Sequence, residues 1–264
     1  MRKIITVLFT IFVCSSVFAV NEDTEKIERD LMFFQVQSGY AWLGKADISG
    51  ATEANNWDSS NEGYNAQLSD ASFLDFAIGF YPFSFLDVGV SYGFYETMHY
   101  EKYQTGTSET EGFTGSHRIR YLDVDHKNVM VNLTFHPPKN MFSIDTSLVS
   151  VFPFIGGGFG IGINRVNNFH TVGYSNEVGS TTTIGSRYNN NSFAWQANAG
   201  LTFAACNHKL AFDLGYRYLD GGTFKSASKF MLNTSTYEGA YFSTHGWSGK
   251  IKAHEAVVAF RYSF

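Results

Sequence analysis

The chain has 264 residues and a formal charge of −5, with 26 Phe, 15 Tyr and 25 Gly but only 4 Pro. That length suits one domain or a small pair of domains, and the acidic balance excludes a nucleic-acid binder, which needs clustered Lys and Arg. Many aromatics at a mean hydropathy of −0.14 mean that apolar residues alternate closely with polar ones.

The N-terminus reads as an export signal. Arg2 and Lys3 precede an apolar run, Ile4–Val13, and Val17 and Ala19 take the −3 and −1 positions of a cleavage site. This layout is a secretory signal peptide, too short to span a membrane as a helix. The expected division is a signal peptide over 1–19, a short periplasmic segment over 20–31 and one folded domain over 32–264. Cleavage leaves Cys206 alone, which rules out an internal disulfide.

Period-2 alternation then recurs eight times, over about ten residues each time, the mark of strands with two unlike faces. The spacing predicts strands at Met32–Leu43, Ala71–Tyr81, Phe85–Thr97, Asn128–His136, Val151–Asn164, Ser192–Ala204, Lys209–Leu219 and Ile251–Phe264. In the second, Leu74, Phe76, Ile78 and Phe80 oppose Asp75, Ala77 and Gly79. In the seventh, Leu210, Phe212, Leu214, Tyr216 and Tyr218 oppose Asp213, Gly215 and Arg217. A soluble sandwich or lipocalin-like barrel would bury the apolar face, whereas an outer-membrane barrel turns it to lipid.

The connections separate these cases. Short turns follow the second and sixth strands, and Pro137–Asn140 opens a moderate link. The segments Gly44–Asp70, Met98–Lys127, Arg165–Asn191 and Asp220–Lys250 are long and rich in Gly, Ser, Thr, Asn and Tyr. Short and long connections alternate, so all long loops fall at one end. This is the anatomy of an outer-membrane barrel with periplasmic turns and extracellular loops. Structureless loops of about 25 residues would count against a compact soluble domain. The expected fold is therefore an all-β, eight-stranded, antiparallel, up-and-down transmembrane barrel with four long extracellular loops. The ending Ala259–Phe264 sets Phe260, Tyr262 and Phe264 at alternate positions, as a closing strand with a terminal aromatic at the periplasmic interface would.

Laid out this way, the chain resembles the small outer-membrane barrel superfamily that includes the OmpA transmembrane domain and the opacity-type surface proteins. The resemblance rests on Gln35–Gly44 (QVQSGYAWLG), Pro153–Gly162 (PFIGGGFGIG), Ala194–Gly200 (AWQANAG), Leu214–Gly221 (LGYRYLDG) and Ala256–Phe264 (AVVAFRYSF). It implies Sec-type export to the bacterial outer membrane and cell surface. It also implies a C-terminal signal, Phe260, Tyr262 and Phe264, read by the outer-membrane assembly machinery. The expected partners are outer-membrane lipid, that machinery, and a host or extracellular protein met through the loops; nucleic acid is not one. No cofactor is expected.

Two lumen features stand out. The lumen face carries Asp75, Asp87, Asp213, Arg217, Glu255 and Arg261. Buried charges must pair, so Arg217 and Arg261 are expected to plug the lumen with these carboxylates, unless several are merely solvated at the wet ends. The second feature is PFIGGGFGIGINR, Pro153–Arg165. It lacks the spacing of a dinucleotide loop and the Lys-Ser/Thr of a phosphate loop. By parity Gly156, Gly158, Gly160 and Gly162 line the lumen. They leave room for larger residues from across the barrel, with Arg217 and Arg261 as the candidates.

The expected function is a surface barrel presenting long loops in an adhesive or host-protein-binding role, and not an enzyme. The alternatives are a narrow porin-like channel and a lipid-modifying outer-membrane enzyme. For the latter, Thr244–Ser248 (THGWS) is the most suggestive grouping, since nucleophilic chemistry needs a base beside a hydroxyl.

Overall fold

A computed structural model describes residues 31–50, 55–57, 67–108, 113–137, 142–173, 182–205, 209–233, 240–243 and 246–264. The expected leader over 1–19 lies outside the described residues. Eight long strands build the wall: β1 (Met32–Leu43), β2 (Ala71–Phe83), β3 (Leu86–Tyr95), β4 (Phe113–Phe135), β5 (Val149–Gly173), β6 (Tyr188–Ala205), β7 (Leu210–Lys225) and β8 (Trp247–Ser263). Each pairs antiparallel with its neighbours in sequence, and β8 pairs with β1, so the sheet closes on itself. Closure satisfies every wall strand on both sides, the condition for spanning lipid with strands.

The register sets the barrel's width. From Phe34, opposite residues run Ile78, Val90, Val131, Phe159, Trp195, Asp220 and Lys252. The circuit closes on Gly44, whose N–H donates to the Lys252 carbonyl. The return point lies ten residues beyond the start. Such a stagger tilts the strands by roughly 40° and leaves an interior that side chains can fill.

Over the middle of the wall the outward row is apolar and exposed: Phe34, Phe76, Ile78, Val90, Val131, Leu133, Ile155, Phe159, Ile161, Leu214 and Tyr262 among others. Inward positions are small, polar or charged. Above this belt the pattern inverts. On β4, Leu122 and Val124 point inward and are buried, while Asp123 and Asp125 face outward. Likewise Val166, Phe224, Ile251 and Ala253 are buried, with Arg165, Lys250 and Lys252 outside. Lipid makes the outer face apolar; water makes the inner face the core.

This inversion corrects the expectation of structureless loops. Met98–Ser108 forms a hairpin with β4, and Thr182–Gly185, Lys229–Asn233 and Ala240–Ser243 extend the sheet from β5. The wall strands overshoot their expected ends because backbone pairing continues after the outward apolar row stops. The crown encloses its own core of Leu43, Met98, Tyr100, Leu122, Val124, Val166, Phe169, Leu219, Phe224, Phe230, Trp247 and Ile251.

Candidate functional site

The inward charges form two stacked knots. In the lower one, towards the periplasmic turns, Arg261 Nη2 donates to Asp213 Oδ1 at 3.1 Å and its Nη1 to Asp87. Asp87 also meets His136 Nε2 at 2.7 Å. Asp213 accepts from Thr202 Oγ1 at 2.7 Å and from Gln35 Nε2 at 3.0 Å.

In the upper knot, Arg217 Nη1 donates to Asp75 at 3.2 Å and to Gln37 at 3.3 Å, and its Nε to Glu255. The Tyr95 hydroxyl donates to Glu255 at 2.7 Å and accepts from Arg217 Nη2 at 3.2 Å. Each guanidinium also sits near an aromatic ring, Arg217 4.5 Å from the centre of Phe73 and Arg261 5.8 Å from that of Phe33. Both arginines and all four carboxylates are buried. A cavity of about 50 Å³ separates the knots, lined by Gln35, Asn132, Gln196 and Asn198 among others.

The structure brings all six sequence-selected charges inside, and it adds Tyr95, His136, Gln35, Gln37 and Thr202 as their partners, a role that alternation did not give them. A hydrogen bond between side chains on different strands has no local signature, so only the register could have found them.

The glycine row of β5 faces the lumen, but its proposed occupants are corrected. A Cβ at Gly156 would lie 2.5 Å from Asn198 Oδ1, one at Gly158 2.2 Å from Asn132 Oδ1, and one at Gly160 2.0 Å from the Val129 carbonyl. Neighbouring Asn side chains and the β4 backbone take that room. Arg217 and Arg261 instead pair with Glu255 and Asp213 on β8 and β7 and reach across to Asp75, Asp87 and the Phe73 and Phe33 rings on β1–β3. There Gly39 and Gly79 admit the Phe73 and Phe33 rings, 2.8 Å and 2.4 Å from where a Cβ would stand.

Above the upper knot, His126 Nδ1 meets Asn164 Oδ1 at 2.6 Å. Still higher, Arg120 is buried in the crown with its guanidinium 3.7 Å from the Trp247 ring centre. Burial raises the Tyr100 pKa above its ordinary value, and nearby Arg120 opposes this. On the outer face, His99 Nδ1 contacts Asp123 at 2.6 Å. In the THGWS grouping, Thr244 and His245 lie outside the described residues, and Trp247 begins β8. Phe260, Tyr262 and Phe264 share the lipid-facing side of β8 and its end.

No protein-family model matches the chain, and no curated protein matches it. Solved structures of outer-membrane proteins do. Neisserial surface protein A is 14 % identical, with 88 % of this chain and 97 % of that one covered at a TM-score of 0.41. OprG from Pseudomonas aeruginosa is 14 % identical, covering 89 % and 97 % at 0.46. The outer-membrane protease OmpT from Escherichia coli is 12 % identical, covering 92 % and 99 % at 0.45. The last corrects the expectation of a non-enzyme: a protease is among the barrels matched, so the fold excludes no catalytic role. With eight antiparallel strands closed on themselves, an apolar belt outside and charge inside, the chain has the fold of an outer-membrane β-barrel.

Proposed function

We propose that this surface barrel is a closed scaffold whose crown is its working part, binding extracellular or host macromolecules. The observation that carries the reading is the stacking of three barriers along one lumen: the Arg261 knot, the Arg217 knot and the apolar core of the crown. An eight-stranded interior is narrow to begin with, and among the described residues a buried apolar layer above two ionic ones interrupts the polar path for solutes. The crown supports the binding role. Its hairpins continue the paired backbone of the wall, with Met98, Tyr100, Phe169 and Phe230 packed inside the crown, and an ordered backbone lowers the ordering cost of binding.

The test pairs two measurements on the refolded full chain. Planar bilayers should show no steady conductance. Binding to host cells or matrix should fall when Met98–Ser108 and its partner stretch of β4 are replaced by a short turn. Large steady conductance overturns the closed scaffold, and equal binding by the trimmed barrel overturns the crown's role.

A further inference from the structure

The ring of residues just above the apolar belt is charge-segregated. Along β2–β4 its outward members are mostly acidic, Asp70, Glu96, Asp123 and Asp125, with Lys127 and the neighbouring Arg165 of β5 as the basic exceptions. Along β7–β8 they are three lysines, Lys225, Lys250 and Lys252, and one carboxylate, Asp220. A bulge at Asp220/Gly222 resets β7, so that Thr223 stands opposite Lys250, Lys225 opposite Ser248, and Asp220 opposite Lys252. Phe224 and Ile251 point inward and are fully buried, which turns Lys225, Lys250 and Lys252 outward together. Lys250 and Lys252 are two apart on one face, and Lys225 is diagonal to Lys250, all within reach of one multivalent anion. Lys45, just past the end of β1, is exposed beside them.

Two carboxylates, Asp47 and Asp220, stand among these lysines. Lys252 Nζ lies 3.3 Å from Asp47, and the Asp220 Oδ1 accepts from the Gly222 N–H at 3.0 Å. Among the described residues, neither Lys225 nor Lys250 has an ion-pair partner.

Directly below lies an aromatic stretch of the upper belt. The Trp195 and Tyr218 ring centres are 5.4 Å apart, as are those of Tyr218 and His254. Trp42 stands opposite His254 across the β1–β8 seam. Aromatics of this kind sit at the headgroup level, with acyl chains beneath. Cations immediately above them stand where lipid phosphates lie, in a field that favours anionic headgroups.

We propose that the β7–β8 face, through Lys225, Lys250 and Lys252 over the Trp195–Tyr218–His254 shelf, binds the phosphorylated headgroup of an outer-leaflet glycolipid of the lipid A type. The site lies on the outer face of β7–β8 where the crown meets the apolar belt, apart from the Met98–Ser108 hairpin on β4. Across the barrel the carboxylates of β2–β4 outnumber Lys127 and Arg165, so one lipid position is selected rather than a general lipid coat.

The test uses the full chain refolded in zwitterionic detergent micelles and titrated with bisphosphorylated lipid A, read by tryptophan fluorescence. The wild type should bind saturably. The K225Q/K250Q/K252Q variant should bind on the order of 100-fold more weakly, about fivefold per lysine. A K127Q/R165Q control on the β4–β5 side should keep wild-type affinity. Heat-modifiable gel mobility reports that each barrel has folded; if the triple variant does not fold, K250Q alone should weaken binding about fivefold. The proposal is overturned by unchanged affinity in the lysine variants, by an equal loss in the control, or by equal binding of dephosphorylated lipid A. Phosphatidylglycerol binding as tightly as lipid A overturns the glycolipid assignment.

Discussion

The guanidinium of Arg120 lies 3.7 Å from the ring centre of Trp247, inside the crown and away from any lipid. Arg120 rises on β4 and Trp247 opens β8, so the contact ties opposite walls together above the membrane. Phe169 joins them, its ring 5.8 Å from that of Trp247. A cation against a desolvated indole is worth about 2 kcal/mol, and the buried ring adds its own packing.

Replacing Trp247 by Ala should therefore loosen the crown and leave the transmembrane wall closed. The expected cost is about 3–5 kcal/mol, as for other buried Trp-to-Ala changes. Limited proteolysis of the variant in vesicles should cut the crown faster while the heat-dependent gel shift persists. Loss of that shift would mean that crown and wall fold as one unit.

Removing the positive charge of the upper knot should act differently. Arg217→Met leaves Glu255 and Asp75 buried without their guanidinium, which should cost about 3–5 kcal/mol. Denaturant titration of the variant in vesicles measures this. Bilayer recordings should stay silent, because the apolar core of the crown still closes the lumen above. Steady current through Arg217→Met would place the only effective barrier in the knot.

The glycines of β5 should divide by parity. Gly160→Val drives a Cβ to within 2.0 Å of the Val129 carbonyl, a collision with backbone that cannot rotate away, so folding yield should collapse. Gly157→Ala points outward, with only the Gln196 carbonyl nearby at 3.1 Å, and should fold. Yields of heat-modifiable protein after refolding compare the two. Equal yields would refute the assignment of faces.

The cavity between the knots should hold ordered water. Its roughly 50 Å³ is room for about three water molecules at ~15 Å³ each. The Gln196 Oε1 and Asn198 Oδ1 are buried without a hydrogen-bond partner among the described residues, so a water there has an acceptor to meet. Solid-state NMR water-edited spectra should show early transfer to the Gln196 and Asn198 side chains. A dry signal at both would refute it.

Phe264 offers a test of the proposed assembly signal. With Tyr262 and Phe260 it occupies the outward side of β8 and its end. Phe264→Ala should lower the folded fraction in cells while refolding in detergent proceeds as in the wild type. An equal loss in both settings would make the residue structural instead.

Alternation alone determined which face each residue of the belt takes, because in a strand the side chains point to opposite sides with a period of two. That much made the eight strands, their antiparallel order and the lumen side of Asp75, Arg217 and the β5 glycines legible from the chain. What it could not reach was anything that depends on the stagger between strands. The split of six charges into an Arg261 knot and an Arg217 knot follows from which residues the tilted register brings to one level. So does the filling of the glycine face by Asn132 and Asn198 rather than by arginines. The crown escaped for a further reason: once the wall leaves lipid, the solvent on its outer side changes and the sense of the alternation reverses. A sequence carries the period of a strand within itself, but which face is the apolar one is decided by what surrounds the folded barrel at each height.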